Sequence, residues 1–269
     1  MPDKASKKRI DRDSVRNTLT VAIGLSLVCS ILVASTAVLL KPRQERNEEQ
    51  FRQRIILEVA SLMEPGGDIE TLFASIEPRL VDLASGDYVD SIDAGTFDAL
   101  AMANDPELGV AVPTELDTGN IQRRAKYAPV YLVSADDKVE QIILPVYGSG
   151  LWGKMYGYLA LQPDGTTVTG LRFYEHIETP GLGDQVDAPR WREQWVGKKI
   201  HGADGTPRIE VIRGAVATNG DPMETRYQVD GLSGATLTGR GVTNLVRYWT
   251  GPHGFGPYLE KLARSEDST

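Results

Sequence analysis

Val130-Tyr-Leu-Val133, Val139-Glu-Gln-Ile-Ile-Leu-Pro-Val146, Met155-Tyr-Gly-Tyr-Leu-Ala-Leu161 and Val168-Thr-Gly-Leu-Arg-Phe-Tyr174 are four successive runs rich in β-branched and aromatic residues. Turn signals separate them: Ala135-Asp-Asp137, the glycine-rich 148–153, and Pro163-Asp-Gly165. Short runs of this kind with polar punctuation predict an antiparallel meander. Towards the C-terminus, Pro189 to Val196 reads as a helix, Arg208 to Val216 as a further strand, and Gly239 to Trp249 as a helix with Val242, Leu245, Val246 and Trp249 on one face. The expected class is α+β: one antiparallel-rich sheet with flanking helices.

Towards the N-terminus the pattern changes. Asp68 to Leu83 reads as a short helix, and Ser85 to Thr118 as short helical stretches mixed with polar turns. Arg43 to Met63 is charged and then amphipathic, with Ile55, Ile56, Val59, Leu62 and Met63 at helical spacing, and Glu64-Pro-Gly-Gly67 stops it. Before that lie 24 uncharged residues, Asn17 to Leu40. At about 1.5 Å of rise per residue such a helix matches a hydrocarbon core of roughly 30 Å. The run is longer than the apolar region of a secretory signal, so a retained span is expected rather than a cleaved leader. Small residues within it, Gly24, Ser26, Ser30, Ala34 and Ala37, suit close contact with other helices. The expected order is a tail at 1–17, a transmembrane helix at 18–40, a juxtamembrane helical region at 41–127 and the main domain at 128–269. Six basic residues precede the span and five follow it closely, a weak positive-inside signal. The short, dense tail favours a cytoplasmic N-terminus with the main domain outside.

Composition narrows the chemistry. The chain carries a net charge of −8; the tail has six basic and three acidic residues, so the remainder carries −11. An acidic domain is a poor match for nucleic acid. Cys29 is the sole cysteine and lies in the apolar run, which leaves no internal disulfide, Cys-ligated zinc or iron–sulfur cluster. His176, His201 and His253 lack ligand spacing, so no metal site is expected.

Three segments have the residue types of a ligand site. Asp230-Gly-Leu-Ser-Gly-Ala-Thr-Leu-Thr-Gly-Arg-Gly-Val242 is a small-residue, hydroxyl-rich turn before a helix. Free amides and the dipole at a helix N-terminus favour an anion, and Ser233, Thr236 and Thr238 offer hydroxyls. The same residues suit a simple helix cap. His176-Ile-Glu-Thr-Pro-Gly-Leu-Gly-Asp184 is a turn with backbone donors at Gly181 and Gly183 and polar groups at Glu178 and Thr179; it also reads as a self-satisfied loop. Pro145 to Tyr158 interleaves glycines with aromatics, suiting a planar ligand or a hairpin whose rings fill a core. No Ser-His-Asp arrangement, P-loop or Rossmann fingerprint is present, and no catalytic residue is expected.

Taken together the segments resemble one family. Asp230-Gly-Leu-Ser-Gly-Ala-Thr236 looks like the flavinylation motif of FMN-binding domains, in which the closing threonine is joined to FMN through a phosphoester. Glu178-Thr-Pro-Gly-Leu-Gly183 is similar to that family's second signature, a turn near the flavin. Gly150-Leu-Trp-Gly153 with Met155-Tyr-Gly157 resembles the C subunits of sodium-translocating NADH:quinone oxidoreductases, as do the single span and the long stretch before the strands. The G subunit of the Rnf-type complex shares the first two motifs but lacks the Leu-Trp-Gly segment. The resemblance implies covalent FMN on Thr236, with Leu232, Ser233, Gly234, Ala235, Arg240, His176, Glu178, Thr179, Gly181, Leu182 and Trp152 around it. Arg240 departs from the serine of many relatives and can pair with a phosphodiester. The implied role is electron relay towards ubiquinone in a bacterial inner-membrane complex with a second FMN subunit and iron–sulfur subunits, after modification by a flavin transferase. An anchored binding or sensory domain without redox function is the alternative of a different class, and a stand-alone flavin reductase lacks a visible nicotinamide site.

Overall fold

The computed structural model describes residues 14–63, 66–136 and 138–266. Most of the basic tail, Glu64-Pro65 of one expected turn and Asp137 of another lie outside the described residues. In chain order the elements are α1 (Val15–Val59), α2 (Ile69–Phe73), β1 (Ile76–Asp82), α3 (Ala99–Met102), β2 (Gly109–Ala111), β3 (Arg123–Ala125), β4 (Tyr127–Ala135), β5 (Lys138–Ser149), β6 (Lys154–Leu161) and β7 (Val168–Glu175). A 3₁₀ turn at Gly183–Asp187 leads to α4 (Pro189–Glu193), β8 (Glu210–Val211), α5 (Pro222–Thr225), β9 (Gln228–Val229), α6 (Thr236–Thr250) and α7 (Gly256–Glu266). The chain divides into two compact units, up to Phe51 and from Arg52 onwards.

In the first unit, helix α1 is long and apolar enough to cross a membrane, and its large side chains from Leu19 to Leu39 are exposed. Lys41 pairs with Glu45 one turn on, a solvent-exposed contact of small energetic weight.

The second unit is built on a five-stranded sheet in the order β1-β4-β5-β6-β7, every neighbour antiparallel. Side chains alternate across it as the two-residue period requires. Ile142, Leu144 and Val146 of β5 and Leu159 and Leu161 of β6 join a core with Val242, Leu245, Val246 and Trp249 of α6 and Phe255, Tyr258 and Leu259 around α7. Ile143, Tyr158, Ala160 and Val133 face a second cluster closed by Ile55, Ile56, Val59 and Ala60 at the end of α1. Both faces are covered, so the central strands read as nearly continuous apolar runs.

Two prolines sit on inner strands of this sheet. Pro129 lies in the part of β4 that pairs only with β1, and Pro145 in the part of β5 that pairs only with β6. Each strand there has one strand neighbour, so the missing N–H costs no ladder bond. Helix α6 lies against this part of β5. The Trp249 indole N–H donates to Tyr147 O at 2.6 Å, and a Cβ on Gly241 would stand 2.5 Å from Ser149 O. The helix is in backbone contact with the strand end that leads into residues 150–153.

Three expectations are corrected. Asp68 to Leu83 is not one helix: after α2, residues Ile76–Asp82 form an edge strand, where Pro78 is tolerated. The region 41–127 therefore contributes to the sheet instead of standing apart from it. Arg208 to Val216 yields only the two-residue β8, which pairs in parallel with β9 and is capped by side-chain bonds from α6 rather than by a wider sheet. Helix α6 begins at Thr236, not Gly239, so the hydroxyl motif includes its first turn.

Candidate functional site

The three segments singled out by residue type converge on the carboxyl group of Glu178. Its Oε1 accepts the backbone N–H groups of Leu151 (2.8 Å) and Trp152 (3.1 Å), and its Oε2 accepts the Thr238 hydroxyl at 2.5 Å. Glu178 is 5% exposed and Thr238 fully buried. Gly150 and Gly183 wall this socket: a Cβ on Gly183 would stand 2.7 Å from Glu178 Oε2, and one on Gly150 would overlap Oε1. All three partners are donors, which suits an acceptor-only carboxylate.

The turn itself is internally satisfied. Leu182 and Asp184 N–H groups donate to Thr179 O at 3.1 and 3.3 Å, and Gly181 takes φ +77°, a left-handed conformation that favours glycine. Thr179 Oγ1 accepts the Trp152 indole N–H at 2.9 Å. Upstream, His176 Nδ1 accepts from the Glu178 N–H at 3.3 Å, and its Nε2 lies 2.9 Å from Asp187 Oδ2. Both ring nitrogens are thus engaged by the protein. Glu178 and His176 sit in the scaffold of the turn, whereas Trp152 and Leu182 are on its open side, 63% and 42% exposed.

The hydroxyl motif is anchored from behind. Asp230 accepts Val216 N–H through Oδ1 and receives the Trp191 indole on its carbonyl. Leu232 and Ala235 are buried, and Ala235 N–H closes the turn on Leu232 O at 3.0 Å. Gly234, at φ +72°, faces Leu182 Cδ2. Ala235 is the N-cap of α6 and no side chain caps the helix. Neither Ser233 nor Thr236 serves as a cap. The first backbone bond of the helix is Gly239 N–H to Ala235 O, which leaves the amides of its opening turn for a ligand. Thr236, the first helical residue, is exposed, as are Ser233 and Arg240. Arg240 makes no ion pair among the described residues.

Large apolar side chains are exposed on all three segments: Leu151, Trp152, Ile177, Leu182 and Leu237. Ile177 lies beside Gly153 and Leu182 beside Gly234, so the second segment carries apolar side chains against both the third and the first. Sequence reasoning missed Leu151, Ile177 and Leu237, and also Asp187 as the partner of His176. Apolar residues that break a polar turn were the signal for the first three; nothing in the sequence marks the fourth. An uncapped helix N-terminus beside an apolar rim fits a ligand with an anionic tail and a planar ring, which is the shape of FMN. No group of three or more His, Cys, Asp or Glu side chains able to hold a metal occurs among the described residues.

Comparison with known proteins gives the same picture. The FMN-binding domain family matches residues 150–251. The C subunit of the Na(+)-translocating NADH-quinone reductase from Haemophilus ducreyi is 48% identical over 256 residues, spanning 94% of this chain and 96% of the relative. Its counterpart from Pseudomonas aeruginosa is 45% identical, spanning 95% and 99%. Among solved structures, NqrC of Shewanella oneidensis superposes with a TM-score of 0.73 at 34% identity, over 82% of this chain and 99% of that one. The C subunit from Parabacteroides distasonis gives 0.62 at 25% identity, over 82% and 96%.

Proposed function

The chain belongs to the family of Na(+)-translocating NADH-quinone reductase C subunits, and from that membership we propose that it relays electrons through an FMN joined by its phosphate to Thr236. The observation that carries this reading is the uncapped start of α6, with an exposed threonine as its first residue and an apolar rim beside it.

The chain's own groups account for the choice of acceptor. Of the three hydroxyls in the motif, Thr238 is buried and committed to Glu178. Ser233 is exposed but stands before the helix, outside its row of free amides. Thr236 alone is exposed at the positive end of the dipole, where an added phosphate is stabilised by about 0.3–1 kcal/mol at a surface site. Arg240, one turn on and exposed, adds a cation within reach of a phosphodiester. Trp152, Leu182 and Leu237 offer apolar surface to a ring system, and Thr179 and Glu178 hold that surface in place. FMN, once attached, supplies the redox chemistry, and the protein supplies orientation and electrostatics. Because the tether is the phosphate, the ring carries no bond to protein.

Residues 18–40 would span a bacterial inner membrane, with the tail at 1–17 cytoplasmic and the main domain periplasmic. Partners of this reading are the other subunits of the complex, among them a second FMN subunit and iron–sulfur subunits, and a flavin transferase for maturation. Sodium export coupled to ubiquinone reduction would be a property of that assembly.

The test is co-expression with a flavin transferase, followed by denaturing gel fluorescence and mass spectrometry of the Thr236 peptide. A fluorescent band and an FMN adduct on Thr236, both lost in Thr236→Ala, are expected. A dark band with an unmodified peptide would overturn the reading.

A further inference from the structure

Resting on the flavin reading above, we propose that Glu178 is a positioning residue whose buried carboxylate joins the Leu151–Trp152 turn to helix α6 and so fixes the Trp152 indole relative to a flavin on Thr236. Two segments depend on it that are far apart in sequence, 27 residues upstream and 60 residues downstream. Thr238 is fully buried, so removing the acceptor leaves its hydroxyl without a partner, and this is the costly direction of losing a hydrogen bond; the Leu151 and Trp152 amides lose the one acceptor that ties their turn down. Gly150 and Gly183 pack so closely on the carboxylate that a Cβ on either would collide with it.

Trp152 gains most from this arrangement. It is the most exposed of the apolar side chains on the Leu-Trp-Gly turn, yet it is held at two points: its backbone N–H on Glu178 and its indole N–H on Thr179. A large exposed ring is normally free to change rotamer; here it is a fixed platform. The carboxylate also places a negative charge beside the backbone of that platform, in a buried setting where charges are poorly screened. An electron added to a flavin nearby is opposed by that charge. A neutral group of the same shape makes the reduction easier.

Two variants of the full-length chain, produced with the flavin transferase, separate the roles. Glu178→Gln keeps the size and one carbonyl oxygen for the two amides but removes the charge. It is expected to keep the FMN adduct on Thr236 while the flavin midpoint potential moves to a more positive value. Glu178→Ala removes the clip, and in the flavin-free chain the Leu151 and Trp152 amides are expected to lose their protection from hydrogen exchange. Unchanged potential and unchanged visible circular dichroism in Glu178→Gln would overturn the proposal, as would full protection of both amides in Glu178→Ala. Should Glu178→Ala not fold, the potential and the visible circular dichroism of Glu178→Gln decide the matter. Should the wild-type chain carry no FMN on Thr236, the flavin reading fails, and exchange in the flavin-free chain still decides whether Glu178 holds the turn.

Discussion

His176 and Asp187 face each other at 2.9 Å, Nε2 to Oδ2, while the other ring nitrogen of His176 accepts the backbone N–H of Glu178. An acceptor at Nδ1 places the ring proton on Nε2, where it points at the carboxylate. The imidazole is a strut between the 3₁₀ turn and the Glu178 loop. In His176→Asn the amide stands near the place of Nδ1, and in His176→Gln near that of Nε2. Each is expected to keep one of the two bonds, at a cost of about 1 kcal/mol, and His176→Ala to lose about 2 kcal/mol. Thermal unfolding of the detergent-solubilised chain measures all three. Equal stability of the alanine variant and wild type would contradict the strut.

Thr236 and Thr238 differ by two positions and are expected to behave oppositely. Thr238→Val leaves the exposed acceptor intact but strips a bond to a buried carboxylate, worth about 2 kcal/mol for a charged partner. Thr236→Val touches an exposed site, so stability should move by less than about 0.5 kcal/mol, while the FMN adduct disappears. Peptide mass and melting temperature, read on both variants, give a crossed pattern; a parallel one would be inconsistent with this assignment.

Gly241→Ala tests the contact between α6 and β5. The new Cβ would stand 2.5 Å from Ser149 O and 3.1 Å from Gly150 Cα, both of them backbone atoms that cannot swing away. Overpacking of this kind costs about 1–3 kcal/mol. A lower melting temperature is expected, with a shift in tryptophan fluorescence as Trp249 moves off Tyr147. A neutral result would mean that the helix has slack there.

His201 makes stability depend on pH. Burial lowers its pKa from the ordinary 6.5, against the opposing pull of its hydrogen bond to Thr250 O. The unfolded chain therefore takes up the proton first. The stability this group contributes is complete above about pH 6.5 and is lost as pH falls through the depressed folded value, by at most about 1.4 kcal/mol per pH unit for one proton. Melting temperatures of His201→Gln are expected to fall less steeply than wild type between pH 7 and pH 5. Parallel curves would assign the acid sensitivity elsewhere.

The four strands of the meander and the face of α6 were legible because their signals are local. Val139 to Val146 and Met155 to Leu161 are short runs dense in β-branched, aromatic and other apolar residues between turn signals, and Val242, Leu245, Val246 and Trp249 all reach the core. Strand β1 was not legible. Pro78 and the charged Glu77 and Arg79 argue against a strand in isolation, and only the register Leu80 to Pro129 on β4 makes one. The start of α6 was missed for a related reason: Thr236-Leu-Thr-Gly has low helix propensity, and the helix is held there by the buried Thr238 rather than by the residues' own preference. The candidate site divides in the same way. Its three segments stood out by residue type, but their convergence on one carboxylate is a tertiary fact that spacing in the sequence does not encode.

The position of α6 and α7 after every strand of the five-stranded sheet sets an order of events in biogenesis. Val242, Leu245, Trp249, Phe255 and Leu259 close one face of a sheet whose strands are all synthesised earlier. Until those residues emerge, the sheet keeps an uncovered apolar face, and Thr238 has not yet met Glu178. A nascent or truncated chain ending before α6 is therefore a sticky intermediate.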